Sequence, residues 1–163
     1  MFYHIKGYAV EINKKDIHIM YKHNWQPDDR PRYRTPHIKA TINGKKTSLH
    51  RLLMGEPKGK VVDHIDGNAL NNKRSNLRIC THKQNMRNKK KTNKGSSSQY
   101  KGVTFHKKSQ KWRANITIKK VKYLGQFDSE VQAAKKYNEA AIKYYGEFAR
   151  LNVINNRRSR NVK

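Results

Sequence analysis

Between Asp66 and Asp128 the chain contains neither Asp nor Glu, and the same window carries 17 Lys and Arg. Like charges at that density oppose burial in one large core, so the window is expected to fold as small modules whose basic faces stay in water or against a polyanion. The rest of the chain points the same way. Its 163 residues carry 38 Lys+Arg against 11 Asp+Glu, a formal charge of +27, and only 34% are hydrophobic. Two small modules are therefore expected. Nucleic acid is the leading partner for such a surface, and an anionic membrane surface the weaker rival. No apolar run approaches the roughly 20 residues that span a bilayer. The opening MFYHIKGYAVEINKKD alternates apolar and charged residues, unlike a signal core. Cys80 is alone, which excludes an intramolecular disulfide and a Cys-type zinc site. An intracellular, disulfide-free protein is expected, monomeric, with no membrane partner.

The scarce acids are not scattered. In VVDHIDGNALNN, residues 61–72, Asp63 and Asp66 flank His64. A salt-bridged surface would disperse them, whereas a metal site gathers them. Neighbouring residues on a strand point to opposite sides, so Asp63 and His64 are free to do different jobs. A carboxylate is a hard ligand suited to Mg²⁺, and a neutral imidazole can take a proton from water. Singly, either Asp also suits an Asx turn near Gly67, and His64 suits a hydrogen-bonded surface position. Taken with Asn76 and Asn85 downstream, the group reads as a site, with Asp66 left to turn chemistry.

Along the chain, YAVEI and DIHIMY read as strands, and HIKATINGKKTSLHRLL as a hairpin turning at Asn43-Gly44. NWQPDDRPRYRTP, broken by prolines, reads as loop. KVVDHID and NLRICT read as two short strands, after which Thr81 caps a helix in HKQNMRNKK. TNKGSSSQ, residues 92–99, has the composition of a flexible tether. Beyond it, YKGVTFH, KWRANITIK and KVKYLGQF read as an antiparallel meander. A helix follows in SEVQAAKKYNEAAIKYY, capped by Asp128 or Ser129 and ended at Gly146, with Ala134, Tyr137, Ala141 and Tyr144 on one stripe.

LHR at 49–51, VVDHIDGN at 61–68, NN at 71–72, NLR at 76–78 and QN at 84–85 together resemble the HNH endonuclease family. The resemblance implies a ββα-metal finger. It implies that His64 is the general base, that Asp63 and Asn85 hold one divalent ion, and that Asn76 braces the loop and helps orient the base. It further implies products with a 5′-phosphate and a 3′-hydroxyl. Asn85 stands where many members have His, which keeps an oxygen ligand and favours Mg²⁺ or Mn²⁺ over Zn²⁺. His50 and Arg51 are candidates to line the site, with bracing of the finger the alternative for His50. His82 is expected to meet phosphate or to be merely exposed.

Tyr100, Gly102, Val103, Trp112, Ala114, Ile116, Leu124, Gly125, Phe127, Ala133, Ala134, Tyr137, Ala140, Ala141, Gly146 and Leu151-Asn152 resemble the APETALA2-type DNA-binding domain. In that family the three-stranded sheet enters the major groove, which is wide enough for a β-ribbon. By alternation, Arg113, Asn115, Thr117 and Lys119 form the polar face of the second strand, assigned to DNA, opposite Trp112, Ala114, Ile116 and Ile118. Lys101, Thr104 and His106 on the first strand, with Lys108 in the turn, match family contact positions. Family members carry arginines there, so their sequence preference does not transfer.

An α+β chain is therefore expected. Its parts are a β-rich lead-in over 1–49, an HNH nuclease core over 50–91, a linker over 92–99, a DNA-binding domain over 100–153 and a basic tail over 154–163. The expected function is metal-dependent cleavage of double-stranded DNA, in the cytoplasm of a bacterial host if the gene belongs to a phage. The alternative from another class is a non-catalytic DNA-binding regulator. RNA binding is disfavoured because the aromatic stacking motifs of common RNA modules are absent.

Overall fold

We describe a computed structural model of the chain over residues 1–30, 35–91 and 95–154. It is α+β and packs as two compact units, Met1–Asn88 and Lys89–Lys163. The expected basic tail falls almost wholly outside the described residues, as does the start of the expected tether.

The first unit opens with an antiparallel hairpin of β1 (Phe2–Ile5) and β2 (Tyr8–Glu11). DIHIMY is not a strand. It forms a 3-10 turn over Lys14–Asp16 and helix α1 over His18–Lys22. The physical reason is that Asp16 and Met20, four residues apart, are the buried positions, which is helical spacing. The proline-broken loop also contains structure. β3 (Gln26–Asp28) pairs with β4 (His37–Ile42), which pairs with β5 (Lys45–Ser48), all antiparallel. Pro27 is tolerated because β3 is an edge strand. Asn43 and Gly44 turn β4 into β5 with φ of 48° and 75°, as a tight hairpin requires.

LHRLL leaves the hairpin as helix α2 (Leu49–Leu53), burying Leu49, His50 and Leu53. Strands β6 (Val61–His64) and β7 (Leu77–Cys80) then pair antiparallel, and helix α3 (His82–Asn88) follows. Thr81 and Gln84 form its capping box: Gln84 N donates to Thr81 Oγ1 at 3.2 Å and Thr81 N to Gln84 Oε1 at 2.8 Å. One hydrophobic cluster joins Val10, Ile12, Ile38 and Leu49 to Val62 and Leu77. Residues 1–49 are thus not a separate lead-in. They share a core with the β6–β7 hairpin, because a ββα unit of this size buries too little apolar surface by itself. A half-exposed ion pair reinforces the join: Arg74 Nε and Nη2 each donate to Asp16 at 2.9 Å.

In the second unit, β8 (Val103–His106), β9 (Lys111–Thr117) and β10 (Val121–Phe127) form an antiparallel sheet of order β10-β9-β8, against which helix α4 (Glu130–Tyr145) packs. Ser129 and Gln132 make the capping box of α4. The stripe expected on this helix is buried at Ala134, Tyr137 and Ala141, but Tyr145, not Tyr144, completes it. The Tyr145 hydroxyl donates to Thr117 O, whereas the Tyr144 hydroxyl accepts from Lys122 Nζ at the surface. Gly102 lies against the helix so closely that a Cβ there would fall 2.0 Å from the Tyr137 ring. The tether reading fails over residues 96–99. Ser98 is buried, its hydroxyl donates to Glu130 Oε1 at 2.6 Å, and Gln99 N donates to the same oxygen. Serine hydroxyls here satisfy helix and backbone groups instead of leaving them to solvent.

Candidate functional site

Antiparallel pairing sets Asp63 of β6 opposite Arg78 of β7, and His64 opposite Leu77. Asp63 Oδ2 accepts from Arg78 Nη2 at 2.8 Å and Nε at 3.1 Å, and both side chains are nearly closed to solvent. Asn88, at the end of α3, adds a donor at 2.9 Å to the same oxygen and another at 3.1 Å to the His64 carbonyl. Asn85 lies three residues earlier on α3, half-buried, with its backbone N bonded to Thr81 O. The residue that reaches Asp63 through hydrogen bonds is therefore Asn88, which the motif alone does not single out. Helical spacing of three residues was the only signal that could have suggested it.

His64 is buried, and Asn72 is more so. Asn72 Nδ2 donates to Ala69 O at 3.1 Å, so its Oδ1 faces His64 Nε2 at 3.3 Å. That orientation puts the imidazole proton on Nε2 and leaves the lone pair on Nδ1. Burial holds the His64 pKa below its ordinary value, against the raising effects of Asn72, Asp66 and Asp63, which favours the neutral base.

Asn76, expected to help orient the base, acts on the loop. Its Nδ2 donates to Asp66 Oδ1 at 3.0 Å and Asn71 O at 2.8 Å, and its Oδ1 accepts from Asp66 N at 3.1 Å. The direct hydrogen-bond partner of the His64 ring is Asn72, which belongs to the NN of the motif, where the resemblance implies no role for it. Asp66 also accepts from Asn68 N and Asn71 Nδ2. Burial would raise its pKa, but these donors outweigh it and hold the carboxyl low.

His50 does approach the site. Its ring centroid is 4.9 Å from that of His64, and His37, which no sequence motif marks, completes a triangle at 5.4 Å and 6.0 Å. Burial first, then the neighbouring His64, pushes the pKa of His37 down to about 4 and that of His50 down to about 2. Arg51 does not line the site. Its Nη1 and Nη2 donate to Lys60 O and Pro57 O, so it braces the loop after α2 because those carbonyls lie outside any ladder. His82 is exposed.

On the second unit, alternation along β9 buries Ala114 and Ile116 against α4 and turns Arg113, Asn115 and Thr117 the other way. Thr104 pairs with Arg113 and His106 with Lys111 across β8–β9. With its amide oxygen turned to the guanidinium, Gln126 accepts from Arg113 Nε at 2.8 Å, which fixes that arginine on the face. Three expected contact residues sit differently. Lys119 lies beyond β9, in the turn to β10, because the strand ends at Thr117. Lys101 precedes β8, and its Nζ donates to Lys89 O at 2.7 Å; burial pushes its pKa down to about 8. His106 uses Nδ1 within the turn, where it accepts from Ser109 N at 3.2 Å. Lys108 is exposed in that turn.

Comparison with known proteins agrees with this geometry. Residues 51–87 match the HNH endonuclease family, and residues 98–147 match the AP2 domain. Protein 3.8 of Escherichia phage T7 is 33% identical over 94 residues, covering 58% of this chain and 77% of that protein. The uncharacterized HNH endonuclease L560 of Acanthamoeba polyphaga mimivirus is 37% identical over 116 residues, covering 67% of this chain and 59% of that protein. APETALA2-like protein 2 of Oryza sativa subsp. japonica is 45% identical over 67 residues, 39% of this chain but 15% of its own length. No solved structure matches the chain. Among the described residues, no helix is long and apolar enough to cross a membrane. The chain belongs to the HNH endonuclease family and carries an AP2 domain downstream of its HNH residues.

Proposed function

We propose that this chain is a DNA endonuclease that hydrolyses phosphodiester bonds of double-stranded DNA, with His64 as general base. The observation that carries the reading is the buried His64 ring, kept neutral by burial and oriented by Asn72 so that Nδ1 holds its lone pair. A water aligned with the scissile phosphate gives a proton to that nitrogen, and the resulting imidazolium is held through Nε2–H by Asn72 Oδ1. Attack at phosphorus with departure of the 3′ oxygen leaves a 5′-phosphate and a 3′-hydroxyl. Asn76, through Asp66 and Asn71, keeps the loop that carries Asn72 in place.

Asp63 and Asn85 offer a carboxylate and an amide oxygen, a donor set that fits Mg²⁺ or Mn²⁺. Such an ion, when bound, supplies Lewis-acid stabilisation of charge on the phosphate oxygens. Arg78 and Asn88 converge on Asp63 Oδ2 and fix the carboxylate in orientation. The AP2 unit binds the same DNA through Arg113, Asn115 and Thr117, with Thr104 and Lys108 beside them, and raises overall affinity through local concentration. A phage relative and a lone, buried Cys80 support an intracellular setting.

Incubation of supercoiled plasmid with Mg²⁺, with and without chelator, tests the reading. Nicked or linear product that disappears with chelator is expected. DNA binding without cleavage under any divalent ion would leave a non-catalytic DNA-binding regulator instead.

A further inference from the structure

His37, His50 and His64 come from three elements, β4, α2 and β6, and meet in the first unit. One ligand nitrogen from each lies within 4.8 Å of the other two. A tetrahedral Zn²⁺ with Zn–N bonds of ~2.0–2.1 Å would need these nitrogens about 3.4 Å apart. Reaching that separation requires the rings to turn inward as an ion binds. His50 is 9% exposed, and its ring lies between those of His37 and His64.

We propose that His37, His50 and His64 form a second metal site, selective for Zn²⁺ or a similar borderline divalent ion, whose filling switches the nuclease off. Three imidazoles suit such an ion far better than Mg²⁺, and leave a fourth position for water. Both His37 and His50 are neutral at physiological pH, as ligands must be. Adjacent positions on β6 keep the two metals apart, because Asp63 and His64 point to opposite sides of the strand. The switch follows from lone-pair counting. A neutral imidazole has one lone pair, so a His64 that gives it to an ion cannot accept a proton from water at either nitrogen. This second half rests on His64 being the base; the metal site does not.

The test uses the full chain, stripped with chelator and then titrated with Co²⁺ in excess Mg²⁺, read by visible ligand-field absorption. One Co²⁺ per chain, displaced by Zn²⁺, is expected. His37→Gln and His50→Gln should each weaken binding by about 100-fold, with His82→Gln as the off-site control and circular dichroism as the check on folding. Absence of one-to-one binding, or wild-type affinity in folded His37→Gln and His50→Gln, would overturn the site. In the Mg²⁺ plasmid assay, micromolar Zn²⁺ should stop the wild type, and His37→Gln should need about 100-fold more for half-inhibition. Equal half-inhibition would overturn the switch. If wild type cuts under no ion, the nuclease reading falls and the switch with it, while the cobalt spectrum still decides the metal site.

Discussion

His64 and Asn72 meet through Nε2 and Oδ1 at 3.3 Å, with both side chains closed to solvent. One amide therefore sets the tautomer of the proposed base. Asn72→Leu removes the acceptor at similar volume, and cleavage should slow by about 10- to 100-fold with DNA affinity little changed. Single-turnover cleavage beside an equilibrium binding titration checks this. A parallel loss of affinity would mean that Asn72 supports the fold instead of the ring.

His64→Ala should abolish cleavage, by at least about 100-fold, and keep DNA binding. The same plasmid assay, with a mobility-shift measurement on the uncut DNA, reads both quantities. Cleavage at the wild-type rate would show that another group takes the proton.

The pair Asp16–Arg74 ties the N-terminal segment to the loop before β7. The Arg74 hydrogen bonds and charge outweigh burial and hold the Asp16 carboxyl below its ordinary 3.8. A depressed carboxylate contributes stability that is present above pH 3.8 and lost as pH falls through the lower, folded value. Arg74→Met should thus lower the melting temperature of the first unit at pH 7 by a few degrees, for a solvent-screened loss of about 1 kcal/mol. Melting curves from pH 7 to 3 should show the difference from wild type shrinking at the acid end. A constant difference would mean that Arg74 acts through its bond to Leu53 O alone.

Gly102 has φ of 74° and no room for a methyl group against Tyr137 and Asn115 O. Gly102→Ala should destabilise the second unit by more than about 2 kcal/mol, from overpacking and backbone strain together. Calorimetry should show one transition lowered and the other unmoved. A single transition lowered as a whole would refute independent folding of the units.

Removal of all residues after Lys91 should weaken DNA binding and flatten its salt dependence, because every phosphate that the protein no longer neutralises reduces the slope of log affinity on log salt by roughly 0.9. Cleavage at high protein concentration should persist. The cut lies just past Asn88, where the first unit ends. An unchanged slope would remove the second unit from the DNA interface.

Much of the fold is written locally. Asn43-Gly44 turns a hairpin wherever it sits, because few other residues accept two successive positive φ values. The Thr81 and Ser129 caps and the β8–β10 alternation are legible for the same reason, since their partners lie within a few residues. DIHIMY misleads because its alternation suits a strand, while the buried Asp16 finds its partner, Arg74, 58 residues away. The serines of residues 96–99 carry a tether's composition and a cap's hydrogen bonds, and only the position of Glu130 separates the two.

The candidate site divides in the same way. Asp63, His64, Asn76 and Asn85 stand at short, fixed spacings on one hairpin and its helix, so the gathering of a carboxylate, an imidazole and amides on one small element is legible from spacing alone. Which amide touches what was decided by the tertiary structure: Asn72 on the His64 ring, Asn88 on Asp63, Asn76 on the loop. Side-chain hydrogen bonds depend on rotamers and on elements far apart in sequence, which spacing does not encode. His37 is the extreme case, 27 residues before His64, brought to it only because β4, α2 and β6 share one core.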